Sequence, residues 1–144
     1  MNLKQFKKVN IGIIGCGYWA TNIIKSFEEE NYKNIFVYDI NQKQLKIIKS
    51  KFKYIKVCKT LDELLKKNLY AAMLITPPST HYKIAEKVLK KKINLFIEKP
   101  VTLNSNHLKK LIKISKEKKC ILFSGYIYNF NNYIKYIEKI LKKK

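Results

Sequence analysis

VNIGIIGCGYWATNII, residues 9–24, decides how the rest of the chain is read. Preceded by the basic opening MNLKQFKK, it resembles a short secretion signal, and Ile13-Ile14-Gly15-Cys16 resembles the cleavage box of a lipoprotein. Read otherwise, it is a buried strand running into a glycine-rich turn and the start of a helix. A secretion signal needs an apolar core of about 7–15 residues. Here the stretch from Val9 to Gly15 is interrupted by Asn10. The second reading uses Gly15, Gly17 and Ala20 as the small positions of G-x-G-x-x-G/A. The first glycine permits a tight turn, the second lets the backbone approach a pyrophosphate, and the third small residue lets helix and strand pack closely. The helix N-terminus would then offer N–H groups and the positive end of its dipole to phosphates. The stretch therefore reads as a dinucleotide seat, with Cys16 as the tolerated residue between two required glycines.

Working outward, Asp39 closes the next apolar run, IFVYD, about twenty residues beyond Gly17, where such folds place an acid on the ribose. A carboxylate there accepts hydrogen bonds from both ribose hydroxyls and repels a 2′-phosphate, which favours NAD over NADP. The same side chain could instead cap a helix beginning near Asn41. Strands are predicted over 10–14, 35–38, 54–57, 71–76, 95–97 and 121–124, and helices over 18–30, 42–51, 61–67, 79–91 and 105–118. In the last of these, Leu108, Leu111, Ile112 and Ser115 recur at helical spacing. Several strands are nearly continuous apolar runs, as expected when helices cover both faces of a parallel sheet. The alternation predicts an α/β fold: a doubly wound, mostly parallel sheet of about six strands with helices on both faces.

Composition narrows the function. An apolar fraction of 47% argues against disorder, and no apolar run reaches the ~18 residues that span a bilayer. A net charge of +21 ordinarily suggests nucleic acid. Yet all 31 basic residues are lysine, scattered along helical segments, and arginine, the preferred reader of guanine and phosphate, is absent. The lysines read as solvated faces, so neither a nucleic-acid nor a membrane partner is expected. Cys16, Cys58 and Cys120 are odd in number and lack CxxC spacing, which suits a reduced, cytoplasmic protein. His81 and His107 stand apart from any cysteine or carboxylate pair, so no metal site is expected.

Two further segments carry chemistry. ITPPSTHY, residues 75–82, follows the fourth strand: two prolines stiffen the turn and Ser79 or Thr80 can cap the next helix. The carboxyl end of a strand is where open α/β sheets bind ligands. His81 reads more readily as a helix-start packing residue than as a catalyst. FIEKP, residues 96–100, ends the fifth strand with an acid, a base and a proline. Glu98 and Lys99 form either a surface ion pair of little energetic worth or, beside a nicotinamide, a lysine that manages a hydroxyl proton during hydride transfer. Spacing alone leaves both open.

GIIGCGYWATNII, YDIN, TPPSTHY, EKPVTLN and GYIYNFNNYIKYIEKIL occur in an order and spacing similar to the Gfo/Idh/MocA family of oxidoreductases, and the likeness covers almost all of the chain. Gly-Tyr-Trp in the turn resembles the branch that acts on nucleotide-linked amino sugars. The resemblance implies that Gly15, Gly17, Tyr18 and Trp19 line the pyrophosphate and Asp39 holds the adenosine ribose. It further implies that Thr76, Pro77 and His81 border the dinucleotide, with Glu98 and Lys99 at the nicotinamide end and Lys99 as the catalytic lysine. The implied activity is NAD(H)-dependent hydride transfer at a hydroxyl of a sugar or nucleotide sugar. Family members often carry Gly-His and then Tyr-Asn-Pro where this chain has Gly125, Tyr126, Phe130, Asn131 and Asn132. They also continue into a second, substrate-binding domain. Residues 1–125 are therefore expected to form the dinucleotide-binding domain and 126–144 the start of a crossover helix. The chain is then expected to be incomplete as an enzyme by itself, with some tendency to self-associate. The alternative is a truncated or split-gene dinucleotide-binding module without catalysis of its own, acting through a partner chain.

Overall fold

The computed structural model describes residues 8–142. Six strands form one sheet: β1 (Asn10–Ile14), β2 (Ile35–Tyr38), β3 (Lys56–Val57), β4 (Leu69–Leu74), β5 (Asn94–Ile97) and β6 (Leu122–Ser124). Their spatial order is β3-β2-β1-β4-β5-β6, and every pairing is parallel. This is the doubly wound order whose direction reverses between β1 and β4, the point where such sheets open a crevice. The predicted fold is the one observed.

Parallel strands need crossovers, and helices supply them. They are α1 (Tyr18–Glu29), α2 (Gln42–Lys51), α3 (Leu61–Leu65), α4 (Pro78–Lys90) and α5 (Ser105–Lys118). Two cores result, one on each face of the sheet. Ile11 and Ile13 of β1, with Ile35 and Val37 of β2, pack beneath Ala20 and Ile24 of α1 and Leu45 and Ile48 of α2. Ile14, Ala72, Leu74, Leu95 and Ile97 pack on the other face against Leu64 of α3, Ala85, Val88 and Leu89 of α4 and Leu111 of α5. Strand periodicity of two sends neighbouring residues to opposite cores, and with both faces covered each must be apolar or small. Gly12 is small for this reason: a Cβ there would lie 2.6 Å from Leu69 Cδ1.

Several boundaries differ from expectation. The third strand was expected over 54–57, but the Ile55 N–H donates to the Phe52 carbonyl in a turn, so pairing with β2 is confined to residues 56 and 57. The fourth begins two residues early, at Leu69, because Leu69 still pairs with Asn10. Neither Ser79 nor Thr80 caps α4. Pro78 starts that helix, after Pro77, and the Thr80 hydroxyl donates to the Pro77 carbonyl at 2.8 Å.

The β5–β6 end of the first face is covered differently. Phe96 and Phe123 lie with ring centroids 5.9 Å apart, and Phe130 from a 3₁₀ turn (Ile127–Phe130) lies 5.9 Å from Phe123. A last helix, α6 (Asn132–Leu141), is capped by the Asn131 side chain and buries no residue. Its Tyr133, Ile134, Ile137, Ile140 and Leu141 are exposed.

Candidate functional site

The carboxyl ends of β1, β2, β4 and β5 carry the glycine turn, Asp39, the TPPST turn and the Glu98–Lys99 pair, and GYIYNF follows β6. Gly15 turns the chain with φ +97°, a conformation that L side chains rarely adopt. A Cβ at Gly15 would also lie 2.8 Å from the Ile75 carbonyl oxygen, so both torsion and space demand glycine. Gly17 differs: a Cβ there would meet nothing within 4 Å. The space beside Gly17 is part of an open cleft, and among the described residues no side chain caps α1 at this position. A phosphate could therefore approach the first-turn N–H groups directly.

Asp39 is fastened to the turn it faces. Its Oδ2 accepts the Cys16 N–H at 2.6 Å and its Oδ1 accepts the Asn41 N–H at 2.7 Å. The helix cap belongs instead to Asn41, whose side chain accepts from Lys43 N–H. Asp39 thus orients the glycine turn and still lines the cleft, each oxygen keeping a further lone pair. Between the two, the Cys16 thiol is buried. Burial first, and the Asp39 charge second, push it up to about 12. It is an inert filler of the turn at neutral pH.

Two clefts lie along this edge. The first, about 620 Å³, is lined by Gly15, Gly17, Tyr38, Asp39, Ile40, Leu61, Ile75, Thr76, Pro77, Thr80 and Ile84. The second, about 420 Å³, is lined by Trp19, Ile75, Glu98, Lys99, Gly125 and Tyr128. Ile75 belongs to both, so they form one crevice across the switch point between β1 and β4. In the second cleft the Trp19 indole N–H donates to Glu98 Oε1 at 2.9 Å, and Lys99 N–H donates to Glu98 Oε2 at 3.0 Å. Gly125 leaves the room this needs: a Cβ there would lie 2.9 Å from Glu98 Oε1. The Lys99–Pro100 peptide is cis, and Lys99 is exposed.

Gly15, Gly17, Asp39, Thr76 and Pro77 therefore meet in one cleft, and Trp19, Glu98 and Lys99 in the other. Two expected residues fall elsewhere. Tyr18, the first residue of α1, lines neither cleft and is 82% exposed. His81 was expected to border the dinucleotide, but its ring is fully buried, with Nδ1 3.0 Å from the Pro100 carbonyl oxygen and Nε2 2.7 Å from that of Thr76. Sequence reasoning missed Ile75, Thr80, Gly125 and Tyr128. Ile75 and Thr80 stood in the quoted ITPPSTHY segment, Thr80 read only as a helix cap, and Gly125 and Tyr128 stood in GYIYNF without an assigned role. Among the described residues no group of three or more His, Cys, Asp or Glu could hold a metal ion, and no helix is long and apolar enough to cross a membrane.

Residues 9–126 match the Gfo/Idh/MocA oxidoreductase family, NAD-binding Rossmann fold. The chain belongs to this family. The Gfo/Idh/MocA match runs from the strand before the glycine turn to the residue after Gly125, and so includes every lining residue of both clefts except Tyr128. Among curated proteins none matches the chain. Among solved structures, UDP-N-acetylglucosamine 3-dehydrogenase GnnA from Acidithiobacillus ferrooxidans is 24% identical, with a TM-score of 0.82 over 92% of this chain. GenD2 from gentamicin A biosynthesis, in complex with NAD, is 23% identical with a TM-score of 0.75 over 83%. Biliverdin reductase from Synechocystis sp. PCC 6803, in complex with biliverdin and NADP+, is 21% identical with a TM-score of 0.82 over 94%. These likenesses establish the shared fold. The chain spans 41%, 35% and 43% of the three neighbours' own lengths.

Proposed function

We propose that this Gfo/Idh/MocA chain seats NAD(H) along the joined crevice and serves hydride transfer at a hydroxyl of a sugar or nucleotide sugar. The carrying observation is the placement of Asp39 and Lys99 in two clefts that share Ile75. The residues present fit the cofactor: Gly17 faces open space that a Cβ would fill, and Asp39 lines the cleft with acceptor capacity to spare. In this reading the pyrophosphate lies over Gly15 and Gly17, the ribose hydroxyls donate to Asp39, and Thr76 and Pro77 form the opposite wall. The charge of Asp39 opposes a 2′-phosphate, which favours NAD over NADP.

When bound, the nicotinamide supplies the two-electron acceptor or donor. Lys99, exposed in the second cleft, hydrogen-bonds the reacting hydroxyl and manages its proton as the carbon–hydrogen bond breaks or forms. Glu98 is occupied by Trp19 and by the Lys99 backbone, so it holds the site's shape and leaves the proton to Lys99. The name of GnnA supports a UDP-linked amino sugar as the substrate class. The dinucleotide-binding unit ends near residue 125, and α6 leads out of it. Three free thiols suit a reducing, cytoplasmic setting.

Calorimetric titration with NADH, NADPH and ADP-ribose tests the cofactor reading. Saturable NADH binding, tighter than NADPH, is the expected result. No NADH binding at millimolar ligand would overturn it. Turnover of UDP-amino sugars against other sugars with NAD, and its loss in K99M with NADH binding kept, tests the catalytic reading.

A further inference from the structure

The loops that follow β4 and β5 carry the residues of two different clefts, and they meet at one buried side chain. His81 lies in the first turn of α4 with its ring fully buried. Nε2 reaches the Thr76 carbonyl at 2.7 Å and Nδ1 reaches the Pro100 carbonyl at 3.0 Å. Thr76 lines the first cleft, and Pro100 follows Lys99, which lines the second. A packing residue at a helix start would need only an apolar ring. Here both polar atoms are aimed, and at separate loops. Both partners are carbonyl oxygens, which only accept, so a ring N–H serves one of them in either neutral tautomer and both when each nitrogen carries hydrogen.

The near end of this connection is itself rigid. The Thr76 and Thr80 hydroxyls lie 2.7 Å apart and Thr80 N–H donates to the Pro77 carbonyl at 2.9 Å, tying the post-β4 loop to α4. At the far end Lys99 N–H is held by Glu98 Oε2 at 3.0 Å. Lys99 thus has its own N–H fixed by Glu98, and the next residue's carbonyl faces His81 Nδ1 at 3.0 Å.

We propose that His81 is a positioning residue, a strut whose buried ring is wedged between the two carbonyls and donates to one of them, which sets the Lys99–Pro100 corner at a fixed spacing from the Thr76–Pro77 wall. The strut transmits the rigidity of α4 to the loop that carries Lys99, and so aligns the two halves of the crevice. The inference rests on reading the first cleft as the adenosine half and the second as the nicotinamide half.

The test uses the whole chain with H81L, which keeps volume and removes both nitrogens, and H81Q, whose amide can donate to both carbonyls. Amide hydrogen exchange in the free chain and affinities for NADH and ADP-ribose are measured for each. In H81L, exchange over residues 98–102 is expected to speed by about tenfold while β1 and β4 stay protected. NADH affinity should fall by about fivefold or more while ADP-ribose, which lacks the nicotinamide, changes by less than about twofold. H81Q should recover most of both. A folded H81L with wild-type exchange over 98–102, or with equal losses for NADH and ADP-ribose, overturns the strut. Should H81L fail to fold, a folded H81Q with wild-type exchange over 98–102 upholds the strut, and fast exchange there overturns it. A wild-type chain that binds no NADH defeats the cofactor reading alone, and the exchange comparison still decides the strut.

Discussion

The indole N–H of Trp19 donates to Glu98 Oε1 across 2.9 Å, joining the start of α1 to the end of β5 over the crevice between them. Trp19 is the chain's single tryptophan, so tryptophan emission reports on the surroundings of this side chain. NADH absorbs where tryptophan emits, and titration with NADH is expected to quench Trp19. E98A frees the indole toward water. It should shift the emission to the red and weaken NADH binding by roughly fivefold, the worth of one hydrogen bond. An unchanged E98A spectrum would remove this contact from the protein in solution.

Gly15 and Gly17 are expected to fail in opposite ways. G15A meets a positive φ and the Ile75 carbonyl at 2.8 Å, so it should cost about 2 kcal/mol and lower the melting temperature by several degrees. G17A meets no atom within 4 Å and should melt like the wild type, while the methyl group occupies pyrophosphate space and weakens NADH binding by about tenfold or more. Thermal denaturation and calorimetry on the two variants separate the roles. Normal NADH binding by G17A would relocate the pyrophosphate.

Asp39 is expected to set cofactor choice. D39N leaves one amide oxygen for one of the two turn contacts now made to the Cys16 and Asn41 N–H groups, sets its NH2 against the other, and removes the charge. Losing charge-assisted bonds to two ribose hydroxyls should weaken NADH by about 1.5–3 kcal/mol, roughly 10- to 100-fold. NADPH should weaken less or tighten, because the repulsion of its phosphate is gone. Parallel titrations give the ratio, and equal losses for both dinucleotides would refute the assignment.

Alkaline pH should destabilise the fold through buried thiols and phenols, Cys16 and Tyr32 foremost. Burial, with help from Asp39, raises the Cys16 thiol from its ordinary 9.0 to about 12, and burial raises the Tyr32 phenol from 10.0 to about 12. For a raised value the folded chain holds its proton where the unfolded chain has lost it. The stabilisation is complete below about pH 9 and is lost as pH rises toward 12. Denaturant melts across that window should show falling stability, with a shallower fall in C16A that leaves the parts of Tyr32, Tyr54 and Cys58. The same burial should keep Cys16 unreactive toward alkylating reagents at neutral pH. Rapid alkylation of the folded chain would contradict the packing.

The strands and the crossover helices were legible because each face of a covered parallel sheet demands apolar residues at period two, and α1, α2 and α5 began where expected. α2 and α5 also ended where expected, while α1, α3 and α4 stopped one or two residues short. The chain has only four glycines, and positive-φ positions after α1, α4 and α5 are filled by Asn31, Lys92 and Lys119, so the usual glycine stop signal is absent. Gly15, Gly17 and Asp39 were readable from the sequence because their demands are local: a positive φ, an open backbone, an acid at a strand end. The Glu98–Lys99 pair stayed ambiguous for the opposite reason. Whether it was a surface ion pair or part of a site depended on Trp19, 79 positions earlier in the chain.

The sequence by itself determined the α/β layering and the glycine turn, since these follow from side-chain periodicity and backbone torsion within short stretches. Tertiary structure alone decided which distant groups meet. Sheet order brought Trp19 to Glu98, a cleft to Ile75, and the carbonyls of Thr76 and Pro100 to either side of one histidine ring. A buried hydrogen bond depends on where a carbonyl lies after two loops have packed, and no local pattern of residues encodes that position.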